Sequence, residues 1–117
     1  MRKLRIEGNK IDELFQFLSE GTSGDEDIRK ANIVKEIGGR KIGFFVFEGF
    51  YFRVQNTVSG SLFVFQTDSD SCEVVIVGSG GASMLGVTWG AQKDIEKKIS
   101  DAVLSHVAKI GMKGYAI

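Results

Sequence analysis

The sequence predicts an α+β fold: an antiparallel sheet of five or six strands with two helices packed on one of its faces, in the order β-α-β-β-β-β-β-α. Three observations carry that expectation. Short apolar segments divided by glycine-rich or polar turns recur between residues 28 and 89, as the strands of an antiparallel sheet do. Two other segments, 10–20 and 91–110, instead repeat their apolar residues at helical spacing. The third is residues 40–54, RKIGFFVFEGFYFRV, which hold five of the nine phenylalanines. Successive side chains of a strand point to opposite faces. One row is Ile42, Phe44, Val46, Glu48, Phe50, Phe52 and Val54, and the other is Gly43, Phe45, Phe47, Gly49, Tyr51 and Arg53. Antiparallel sheets usually keep one face wet. This strand asks for cover on both.

In chain order, residues 3–7 read as a short strand with Leu4 and Ile6 on one face. Gly8 ends it and Asn9 is suited to cap a helix. In 10–20, Ile11, Leu14, Phe15 and Leu18 form the apolar stripe, and Asp12 and Glu13 fall in the first turn, where the helix dipole favours anions. Gly21 is the expected C-cap, and 22–27 (TSGDED) is a polar loop. Residues 28–37 read as a strand, and Gly38-Gly39 as a two-residue hairpin turn, since such turns need positive φ. The aromatic strand 40–54 follows, with a bulge or bend expected at Gly49. Residues 55–61 (QNTVSGS) read as a turn, 62–67 as a strand, 68–71 (DSDS) as a side-chain-bonded turn, and 72–78 as a strand. After a glycine-rich hairpin loop comes a further strand, 82–89. The last helix, 91–110, has Ile95, Ile99, Ala102, Val103, His106, Val107 and Ile110 on one stripe. Gly111 closes it, and 112–117 adds a short strand or frays.

At 117 residues with no repeat or linker the chain is one domain, 1–117. Lys+Arg and Asp+Glu balance at 15 each. A chain so balanced has no electrostatic footprint for nucleic acid or an anionic membrane. No apolar run approaches the roughly 20 residues that span a bilayer, and residues 1–13 lack the apolar core of a signal peptide. A single cysteine forms no internal disulfide. The expectation is a cytoplasmic protein.

The candidate sites are few. Residues 74–82 (VVIVGSGGA) run from an apolar strand into Ser79, Gly80 and Gly81, a start that in dinucleotide-binding units lets backbone amides meet a phosphate. The helix that must follow at once is missing, because 83–89 (SMLGVTW) reads as strand. Phosphate binding by Ser79, Gly80 and Gly81 is therefore the minor reading of this stretch. One His and one Cys make no metal set and no nucleophile–base pair, so neither a metal, a cofactor nor a catalytic residue is expected. Asp68 and Asp70 imitate the start of a calcium loop but lack its glycine and later glutamate. Glu48 interrupts an apolar row and must reach water or a partner. With Tyr51, Trp89 and His106 it is the candidate lining of a ligand cavity, although a packed His106 and a core Trp89 are the plainer readings.

The strand, the amphipathic helix (IDELFQFLSEG), the aromatic antiparallel strands, the Ser79-Gly80-Gly81 loop and the closing helix (DIEKKISDAVL) together resemble a small prokaryotic family catalogued only as a domain of unknown function. The resemblance covers nearly the whole chain and implies no activity. More loosely, the order is similar to the helix-grip architecture of START and polyketide-cyclase-like domains, which implies a sheet wrapped round the last helix and an apolar cavity. The second short helix usual in that architecture is absent here. Two functional expectations lead. One is a non-enzymatic module that self-associates through its aromatic sheet as a homo-oligomer. The other is a domain binding a small apolar ligand or lipid between the sheet and the C-terminal helix. An enzyme using Glu48 or His106 stands behind both.

Overall fold

The computed structural model describes residues 1–20, 27–51, 56–80 and 91–117, with side chains described outside 27–31, 48–51, 56–59, 79–80 and 91–94. The elements are β1 (Arg2–Glu7), α1 (Ile11–Glu20), β2 (Asp27–Ile37), β3 (Arg40–Tyr51), β4 (Asn56–Asp68), β5 (Ser71–Gly80), α2 (Ala91–Lys109) and β6 (Lys113–Ala116). The six strands form one sheet in the order β2-β3-β4-β5-β1-β6. Every neighbouring pair is antiparallel. The α+β class, the antiparallel sheet and the two helices are as the sequence predicts. The predicted strand 82–89, the Gly21 cap, and Trp89 and Gly81 lie outside the described residues.

Both helices cover the same face. Leu14, Phe15 and Leu18 of α1, and Ile95, Ile99, Val103 and Val107 of α2, are buried. Opposite them the sheet presents Leu4, Ile6, Phe45, Phe47, Leu62, Val64, Val74 and Ile76, all buried in the same core. Burying each such side chain contributes about 1.5–3 kcal/mol. Register explains the layer: Phe45 pairs with Leu62, Leu62 with Ile76, and Val64 with Val74. Paired residues in an antiparallel ladder share a face. Of the two rows of β3, the helices thus take the one containing Phe45 and Phe47.

Three glycines are required by geometry. Gly38 and Gly39 turn β2 into β3 with φ of +60° and +78°, the paired positive values of a tight hairpin. Gly60 lies beneath α2, where an added Cβ would fall 2.2 Å from Ile99 Cδ1. That contact corrects the reading of 55–61 as a turn. Residues 56–61 are strand, and the missing side chain of Gly60 lets α2 approach β4. The glycine-rich loop expected at Ser79, Gly80 and Gly81 is corrected for its first two residues, since Ser79 and Gly80 pair with Ser59 and Val58 in the ladder.

Smaller differences have local causes. The first helical carbonyl is that of Lys10, which accepts from the Glu13 and Leu14 amides, so the cap falls one residue after Asn9. The pairing of β3 runs through Gly49 without a shift, and the bulge lies in β2 between Arg29 and Ala31, opposite Phe47 and Val46. After α2, the Gly111 and Met112 amides donate to Ala108 and Val107. The chain then returns as β6 beside β1, so the short-strand reading of 112–117 holds. No described helix is long and apolar enough to cross a membrane.

Candidate functional site

The face of the sheet opposite both helices divides into two halves. Across β1 and β6 it is polar. Arg5 reaches Glu73 at 3.5 Å, the Tyr115 hydroxyl donates to Glu7 Oε1 at 2.8 Å, and Lys113 lies 5.5 Å from the Tyr115 ring centre. Across β2, β3, β4 and β5 it is apolar. Pairing places Ile33 beside Phe44, Phe44 beside Phe63, Phe63 beside Val75, and Ile42 beside Phe65. Val46 and Val77 both pair with Ser61 and extend the surface along the strands. Ile33 is 51% exposed and Phe63 47%. Ile42 and Val77 are exposed too, and Phe44, Val46, Phe65 and Val75 are half-buried. Scattered surface apolar residues are normal, but a contiguous patch marks an interaction surface.

The candidate residues named from sequence are not gathered in one place. Glu48 occupies the β3 row of Phe44 and Val46, pairing with Ile28 and Ser59. Tyr51 belongs to the other row and pairs with Asn56. The side chains of both, and all of Trp89, lie outside the described residues. His106 is on α2 and stacks on Phe17 of α1, ring centres 3.9 Å apart and planes within 5°. Its Nε2 is buried without a hydrogen-bond partner. Beside the stack is a shallow groove of about 310 Å³ lined by Glu13, Gln16, Phe17, Glu20 and His106. Sequence spacing put His106 on the helix stripe but gave no sign that Phe17 would be its neighbour.

Ser79 and Gly80 are held in the β4–β5 ladder. One step away, the Gly78 amide donates to Glu96 Oε2 at 2.8 Å. The same carboxylate lies 3.1 Å from the Met1 ammonium. Burial pushes the Glu96 pKa up, but the Gly78 amide and the ammonium outweigh it and hold the group below the usual value. An anion already sits against this stretch of backbone, and it is the protein's own.

Cys72 is buried on the helix side of β5, and burial pushes its thiol pKa up to about 12. A thiol held neutral is no nucleophile at ordinary pH. Asp68 Oδ1 accepts the Asp70 amide at 2.8 Å, the side-chain-bonded turn read from DSDS. That bond, with Ser71, holds the Asp68 pKa below the ordinary value. Among the described residues no three His, Cys, Asp or Glu side chains gather as a metal ion needs.

Comparison of the chain with protein-family models, with curated proteins and with solved structures finds no match.

Proposed function

We propose that this protein is a non-enzymatic interaction module that self-associates through the open face of β2–β5. The observation that carries the reading is the unbroken apolar surface from Ile33 through Phe44 and Phe63 to Val75, on the side away from both helices. Water on such a surface is costly, and the helices are already committed to the other side.

A second copy suits the surface in size and shape. Four strands about 4.8 Å apart and 10–13 residues long present a face on the order of 700 Å². A standard interface uses about 800 Å² per partner. Two such faces stack about 10 Å apart with strands within roughly 30° of alignment. The Phe44–Phe63 pair lies on the middle two strands of the four. A two-fold axis there sets each pair against its copy and leaves the polar β1–β6 half outside. With formal charges balanced at 15 and 15, no net repulsion opposes the contact.

A cavity for a small apolar ligand under α2 is the other reading. Ile95, Ile99, Val103 and Val107 are each at most 1% exposed, and Ile99 rests on Gly60. Packing this close weighs in favour of the outer surface. Native mass spectrometry at micromolar concentration tests the choice: a bare dimer supports self-association, and a monomer carrying an apolar adduct supports the cavity.

A further inference from the structure

We draw no further inference here: the strongest candidate, the shallow groove beside the Phe17–His106 stack of α1 and α2, carries nothing, because its carboxylates, Glu13 and Glu20, are an exposed acidic pair on α1 and the unpartnered His106 Nε2 is buried rather than open to the groove.

Discussion

Phe44 of β3 and Phe63 of β4 are paired across the ladder with ring centres 4.7 Å apart and planes tilted by 43°, on the sheet face opposite both helices. One residue along each strand, Phe45 and Leu62 are paired on the other face and wholly buried. Two aromatic neighbours in one strand thus serve different layers. In protein dilute enough to be monomeric, Phe45→Ala should cost about 3–5 kcal/mol, the range for a large core truncation. Phe63→Ala should stay within about 0.5 kcal/mol, as surface changes do. Urea unfolding of both variants at low concentration measures the difference.

Gly60 lies where α2 packs directly on the backbone of β4. Gly60→Ala places a methyl where Ile99 Cδ1 stands, so Ile99 must leave its rotamer or α2 must lift. Overpacking of this kind costs about 1–3 kcal/mol. Gly60→Ala combined with Ile99→Val should recover part of the loss, and thermal unfolding of the pair reads the recovery.

Glu96 ties α2 to β5 through the Gly78 amide. Its pKa is lowered in the folded protein, so its contribution is present above the unfolded value of about 4.5 and is lost as pH falls through the folded value. Glu96→Ala leaves a part-buried amide unpaired and should cost about 1–3 kcal/mol at neutral pH. Glu96→Gln keeps an acceptor but has no charge to lose. Its stability should fall less steeply than the parent's below about pH 4.5, as denaturant unfolding across pH 3–7 would record.

The helices and most strands were legible in the sequence because periodicity reports them directly, as in Ile11, Leu14, Phe15 and Leu18. The course of 56–61 was not. Glycine and serine there signal a turn locally, whereas Gly60 is needed bare for a helix that arrives from 35 residues or more along the chain. Nor does alternation say which apolar row of β3 the helices take, since both rows qualify. Pairing with Leu62 and Ser61 decides it, and register is a non-local property. The open face was half visible as a surplus of apolar residues on one strand. Its extension over Ile33, Phe63 and Val77 needed the sheet order.

His106 gives a test of a structural against a chemical role. Its Nε2 is buried and unpartnered while the ring stacks on Phe17. A buried polar atom without a partner costs free energy that an apolar ring of similar shape avoids. His106→Phe should therefore leave stability unchanged or raise it by about 1 kcal/mol. A loss above that size would mean that the imidazole nitrogen bonds to something the fold needs.

The apolar face of β2–β5 as a subunit contact is tested most directly by sedimentation velocity on the parent chain and Phe63→Lys, from roughly 1 to 100 μM. The account predicts self-association that grows with concentration in the parent. Phe63→Lys should lose the species held by the face while keeping its circular dichroism spectrum. A parent chain that sediments as a monomer at every concentration, unaltered by Phe63→Lys, would contradict it.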